Sequence, residues 1–141
     1  LRAWLGRGDR LMPQSSSTAN QHTLRQDLSE LALVALGAVP GAVMRWQIGS
    51  HLHDNNVIVN VLGAFVLGWL VGLPLRPKRQ LLVGIGFCGS LTTFSSWMVH
   101  CVTFIAQGDW LAALGLIGLT LGLGLGAAAL GVVVGRSLVR R

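Results

Sequence analysis

The chain contains few charged residues and no tyrosine. Only 11% of its 141 residues are charged, and five of these are Asp or Glu. No Asp or Glu lies inside any of the long apolar segments, and Glu30 stands at the edge of the first. A proton-coupled carrier normally keeps a buried carboxylate that alternates between a proton and its substrate. This absence disfavours a small multidrug exporter, which the size of the chain would otherwise suit.

The sequence also lacks the side-chain sets that enzyme chemistry needs. It contains no Ser/His/Asp set, no paired carboxylates and no cluster with metal-ligand spacing. Its two cysteines, Cys88 and Cys101, show neither CxxC nor Cys/His spacing, so we interpret them as small buried residues. A passive pathway or a structural role remains, and we do not predict an enzyme.

Apolar residues are abundant: they make up 52% of the chain, and 19 glycines come in addition. Four apolar segments occupy residues 31–49, 57–73, 80–106 and 111–135. Each is long enough to cross roughly 30 Å of hydrocarbon as a helix. Two of them carry a single polar side chain, Asn60 in the second and Thr120 in the fourth. The sequence therefore predicts an all-α membrane protein with four transmembrane helices in a lipid bilayer.

The basic residues predict the orientation of these helices. Outside the segments they are Arg2, Arg7, Arg10 and Arg25 before the first, Arg76, Lys78 and Arg79 between the second and third, and Arg136, Arg140 and Arg141 after the fourth. The other two loops contain no Lys or Arg, so both termini are expected in the cytoplasm. The net charge of +6 comes from basic residues placed in this pattern. We therefore interpret it as a determinant of membrane orientation and expect no nucleic-acid partner.

Residues 1–27 form a polar head that is short of aliphatic side chains. They lack the apolar core of a cleavable signal peptide, so we predict a disordered cytoplasmic tail, with the membrane domain at residues 28–141. Since the chain begins with Leu and Met12 follows closely, part of this tail is expected to lie upstream of the true start.

The stretch GFCGSLTTFSSW, residues 86–97, places hydroxyls and two glycines inside the third apolar segment. We predict that the helix breaks here in mid-bilayer, which is tolerable only where protein or a polar cavity satisfies the freed backbone groups. Carbonyls at such a break can bind a cation, and hydroxyls can donate to an anion. Phe94 and Trp97 are three residues apart and share a helical face, where they either present ring edges to an anion or pack.

Two further polar residues have more than one interpretation. The Asn60 amide either donates to an anion or joins helices. Arg45, near the outer end of the first segment, either attracts anions into a vestibule or extends to the interface. An arginine, an amide, hydroxyls and aromatic edges without any acid favour an anion route. Because four helices enclose little interior, such a route favours an oligomer.

The segments GFCGSLTTFSS, GAVPGAVMRW and NVIVNVLGAFVLG resemble the CrcB family, the Fluc fluoride channels, over about residues 32–138. The resemblance implies an antiparallel dimer with fluoride pores and one central structural sodium ion that is not transported. It places backbone sodium ligands at Gly89 and Thr92, and the pore asparagine at Asn60. It also implies the first-span arginine at Arg45, the first aromatic-box ring at Phe94, and the hydroxyl track at Ser95 and Ser96.

Two departures from the family pattern concern the ion path. Trp97 stands where the family usually has a second phenylalanine, and a tyrosine common in the fourth span is missing, with Leu116 at its expected position. We expect a passive fluoride channel that exports cytoplasmic fluoride across the bacterial plasma membrane. The alternative is a weakly conducting or non-conducting structural subunit of a heterodimeric channel. The one-sided charge favours a homologous partner of opposite bias over self-association.

Overall fold

The computed structural model describes residues 16–51 and 56–140, and every regular element in these ranges is helical. Helix α1 covers Ser16–His51 and α2 covers Val57–Gly72. The third span, Pro77–Ala106, consists of α3 (Pro77–Arg79), a π-helical segment (Gln80–Cys88), α4 (Gly89–Leu91) and, after a short interruption, α5 (Ser95–Ala106). Helix α6 covers Trp110–Val139.

Three segments are long and apolar enough to cross a membrane, namely Leu24–His51, the third span and α6, whereas α2 is a shorter apolar helix. The prediction of an all-helical chain with four apolar segments is confirmed. The predicted second segment, residues 57–73, differs from α2 by one residue.

The first helix begins much earlier than the sequence predicted. Residues 16–27 were expected in a disordered tail, but they are part of α1. Leu24, Arg25 and Gln26, which adjoin the apolar segment, are good helix formers, and a helix nucleated in that segment extends into polar sequence more easily than a new helix starts there. The remainder of the predicted tail, residues 1–15, lies outside the described residues.

Glycines allow two helix pairs to pack with their backbones in contact. Gly68 of α2 lies against the backbone of Ala128 in α6, where an added Cβ would overlap the carbonyl oxygen, and Gly131 of α6 lies in the same way against Phe65. Gly37 of α1 meets the carbonyl of Leu82 in the third span. Small residues at this spacing are the usual means of close helix association in lipid. The contacts fix α6 on α2 and α1 on the third span.

One cluster of buried side chains lies where α5 meets α6 and the start of α2. Val57, Trp97, Cys101 and Leu116 form one buried cluster. Both cysteines are buried and free, as the sequence indicated. This cluster holds the start of α5, and thus one end of the interruption, against α6.

Candidate functional site

The interruption of the third span lies between Leu91 and Ser95. Thr92 has an extended backbone, with φ −74° and ψ 155°. Its N–H still donates to the carbonyl of Cys88 at 3.0 Å, and its hydroxyl donates to the same oxygen at 2.9 Å. A threonine hydroxyl that bonds the carbonyl four residues earlier competes with the backbone ladder and bends helices. The interruption therefore falls within the stretch that the sequence singled out, and its depth in a bilayer stays a prediction.

Asn60 of α2 replaces the backbone partners that Thr93 lacks at the interruption. Its Nδ2 donates to the carbonyl of Thr93 at 3.0 Å, and its Oδ1 accepts from the N–H of Thr93 at 2.8 Å. In a continuous helix that N–H would bond the carbonyl of Gly89. Because one partner is a donor and the other an acceptor, the orientation of the amide is fixed. The interpretation of Asn60 as a link between helices is supported, and Nδ2 retains a second N–H.

Arg45 reaches the interruption from α1. Its Nη1 donates to the carbonyl of Thr92 at 3.4 Å, and the side chain is half-buried. Neither sequence interpretation, an anion-attracting vestibule or extension to the interface, anticipated this contact. The guanidinium and the Asn60 amide thus engage consecutive carbonyls, those of Thr92 and Thr93, from two different helices.

Trp97 and Phe94 are neighbours at the start of α5 and differ in exposure. Their ring centroids are 5.7 Å apart and the planes are tilted by 46°. Trp97 is only 8% exposed, whereas Phe94 is 71% exposed. The indole Nε1 donates to the hydroxyl oxygen of Thr120 in α6 at 3.1 Å, and that hydroxyl donates to the carbonyl of Leu116 at 2.7 Å. Trp97 is therefore held in one orientation, while the Phe94 ring stands at the surface of the chain.

These groups surround an open cleft of about 320 Å³ beside the interruption. It is lined by Asn60, Thr92, Thr93, Phe94, Trp97, Thr120 and Leu121. A second groove of about 660 Å³ runs between α2 and α6 and shares Asn60, Thr120 and Leu121 with the first. Among residues 16–51 and 56–140, no Asp or Glu lines either space. The cleft offers amide and hydroxyl donors and aromatic rings in apolar surroundings, an arrangement that can stabilise a small anion.

The structure brings together some of the residues predicted for the site and separates others. Asn60, Phe94 and Trp97 line the cleft. Ser95 and Ser96 are exposed and do not line it, and Arg45 contacts the interruption from α1 without lining the cleft. The sequence assigned no role to Thr93 and Thr120, although Thr120 is the single polar residue of its segment, the same observation that identified Asn60.

The carbonyl groups before the interruption are the available ligands for a cation. Within residues 16–51 and 56–140, no three His, Cys, Asp or Glu side chains come together as metal ligands. Gly89 is exposed, a Cβ added to it would meet no atom of another part of the chain within 4 Å, and the N–H that would bond its carbonyl is taken by Asn60. The Gly89 carbonyl is therefore suited to bind a cation. The Thr92 carbonyl accepts from Arg45 with one of its two lone pairs and keeps the other.

Comparison with known proteins identifies the family. The family described as CrcB-like protein, Camphor Resistance (CrcB), matches residues 32–132. The chain belongs to the CrcB family. It is 69% identical over 115 residues to "Fluoride-specific ion channel FluC 2" of Parasynechococcus marenigrum (strain WH8102), covering 82% of this chain and 87% of that relative.

Further CrcB relatives carry two numbered names. A "Fluoride-specific ion channel FluC 2" of Prochlorococcus marinus (strain MIT 9313) is 66% identical over 107 residues, 76% of this chain and 82% of the relative. A "Fluoride-specific ion channel FluC 1" of Prochlorococcus marinus (strain NATL2A) is 45% identical over 76 residues, 54% of this chain and 62% of the relative. The resemblance to the CrcB family is confirmed, and this is a family of ion channels, not of enzymes.

Proposed function

We propose that this chain is a pore-forming subunit of a fluoride channel that passively exports cytoplasmic fluoride across the bacterial plasma membrane. The observation that carries the proposal is the cleft at the interruption, where Asn60, Phe94 and Trp97 meet and none of the described lining residues is acidic. The names of the relatives supply the identity of the anion. The rival function is a structural subunit whose partner alone conducts.

The chemistry of the cleft favours an unprotonated, desolvated anion. The second N–H of Asn60 can donate to it, and ring edges present partial positive charge. Without a carboxylate that exchanges protons, movement is not coupled to a proton gradient. An inside-negative membrane potential favours the exit of an anion by about 2.3 kcal/mol per 100 mV. Fluoride that enters as neutral HF and dissociates inside would leave by this route.

The open form of the cleft supports assembly with a second chain. A single chain leaves its polar groups open on one side, where hydrocarbon would not solvate an anion. A Cβ added at Gly118, Gly122 or Gly126 of α6 would meet no atom of another helix within 4 Å, in contrast to the glycines packed between helices of the same chain. We propose an antiparallel dimer, formed with a second copy or a homologous chain, with both termini of this chain in the cytoplasm.

We further propose a structural sodium ion at the centre of this dimer. The carbonyl of Gly89 of each chain would hold it, together with the Thr92 carbonyl through the lone pair that Arg45 does not use. The ion would bring the two interruptions together without being transported. Replacing sodium by a large organic cation should lower the thermal stability of the purified dimer and leave its anion selectivity unchanged. An identical melting temperature in both salts would contradict this proposal, and potassium serves as the control for ion size.

Fluoride efflux from proteoliposomes tests the proposed function. Vesicles with this chain, reconstituted with a co-expressed FluC 1-type homologue, should release fluoride when a potassium ionophore sets the potential. They should retain chloride, which is measured in parallel with a chloride electrode. Empty vesicles are the control. Fluoride retention both by this preparation and by vesicles that contain this chain alone would overturn the proposal.

A further inference from the structure

A hydrogen bond between Trp97 and Thr120 joins α5 to α6 at the wall of the cleft. Both side chains are buried at 8% exposure, and both line the cleft. The indole N–H donates to the Thr120 hydroxyl at 3.1 Å, and that hydroxyl donates its only hydrogen to the carbonyl of Leu116 at 2.7 Å. An indole has no other donor, and a hydroxyl has one. Neither group has a hydrogen left for an anion.

The remaining polar groups of the cleft divide into occupied and available donors. The Thr92 hydroxyl donates to the carbonyl of Cys88, so it is occupied. The Thr93 hydroxyl accepts from the N–H of Ser96 at 3.4 Å, and in the described part of the chain its hydrogen has no acceptor. Asn60 uses one Nδ2 hydrogen on the carbonyl of Thr93 and keeps the other. Two side-chain donors therefore remain, one from Asn60 and one from Thr93.

We propose that Trp97 is a positioning residue that sets the number of donors in the anion site. Its bond to Thr120 withdraws the indole hydrogen from the cleft, and the bond from Thr120 to Leu116 withdraws the hydroxyl hydrogen. The side-chain donors that an anion meets are therefore those of Asn60 and Thr93. The inference rests on the proposed function, because it concerns the same site. Fewer donors hold the anion less tightly, and conduction requires binding weak enough for the ion to leave.

Thr120→Val separates this role from simple packing, since valine has nearly the shape of threonine without its hydroxyl. The variant leaves the Trp97 N–H without an acceptor at the cleft wall, where it becomes a third donor. One added hydrogen bond to a charged ligand should lower the half-saturating fluoride concentration about tenfold. The maximal flux should fall, because the ion is released more slowly.

Two further variants make this test specific. Thr120→Ser keeps the hydroxyl and should restore the half-saturating concentration of the parent. Combining Thr120→Val with Trp97→Phe removes the freed donor, so the tighter binding should disappear. The proposal is overturned if Thr120→Val saturates at the same fluoride concentration as the parent, or if its tighter binding persists in the double variant.

The indole resonance provides a measurement that does not depend on flux. In ¹⁵N-labelled protein in detergent, the Trp97 N–H signal is assigned by its loss in Trp97→Phe. Fluoride should shift this signal in Thr120→Val and leave it unshifted in the parent. An unshifted signal in Thr120→Val would refute the positioning role even if the channel conducts. Fluoride retention by vesicles of the parent, both with and without the co-expressed homologous chain, would instead refute the proposed function.

Discussion

Asn60→Asp is expected to reduce fluoride flux by more than about a hundredfold, because it removes an anion donor and places a negative charge beside the ion path. The carboxylate can still accept from the N–H of Thr93, which Asn60 Oδ1 now accepts at 2.8 Å. It can no longer donate to the Thr93 carbonyl, which Nδ2 contacts at 3.0 Å. The substitution therefore alters donation and charge with little change of shape. Flux is measured with a fluoride electrode on proteoliposomes.

Asn60→Ala addresses the structural part of the same contact. It leaves both backbone groups of Thr93 without the amide, and an unsatisfied buried group costs about 1–3 kcal/mol. This variant should therefore lose stability as well as flux. Ser90→Ala is a matched control near the interruption, because the Ser90 hydroxyl bonds the carbonyl of Phe87 and does not line the cleft. If Asn60→Asp conducts like the parent, Asn60 only links helices and the pore assignment is wrong.

The sequence predicted the helices of this fold better than the contacts of its site. Apolar length is sufficient to locate α2 to within a residue, because a bilayer imposes a minimum span. The start of α1 was missed, since the limit of an apolar segment does not mark the end of a helix that continues into polar sequence. The sequence therefore predicts the apolar part of each helix, whereas the polar extension of α1 is seen only in the structure.

At the site, isolation within an apolar segment identified Asn60 but could not give its partner. Its bonds to Thr93 join residues 33 positions apart, and they depend on the packing of α2 against the third span. The contact of Arg45 with Thr92 and that of Trp97 with Thr120 arise in the same way from helix packing. Residue types indicated anion chemistry, whereas the assignment of each donor required the structure.

When expressed alone, this chain is expected to insert with its C-terminus in the cytoplasm and to give fluoride efflux close to that of empty vesicles. An antiparallel pair of identical chains requires one sequence to insert in both directions, which demands a balanced distribution of Lys and Arg. Here Arg76, Lys78 and Arg79 join α2 to the third span, and Arg136 and Arg140 lie at the end of α6. The opposite connections, residues 52–56 and 107–109, contain no Lys or Arg.

Co-expression with a homologous chain of opposite charge bias should restore efflux, since that chain would supply the inverted half of the dimer. The numbered names FluC 1 and FluC 2 among the relatives are consistent with such a partner. A C-terminal cysteine tag, labelled by impermeant reagents from each side, reports the orientation. As a matched variant, Lys78→Gln with Arg79→Gln reduces the charge between α2 and the third span and should increase the inverted fraction. Equal labelling on both sides, together with efflux from the single purified chain, would establish a dual-topology homodimer and contradict the two-chain proposal.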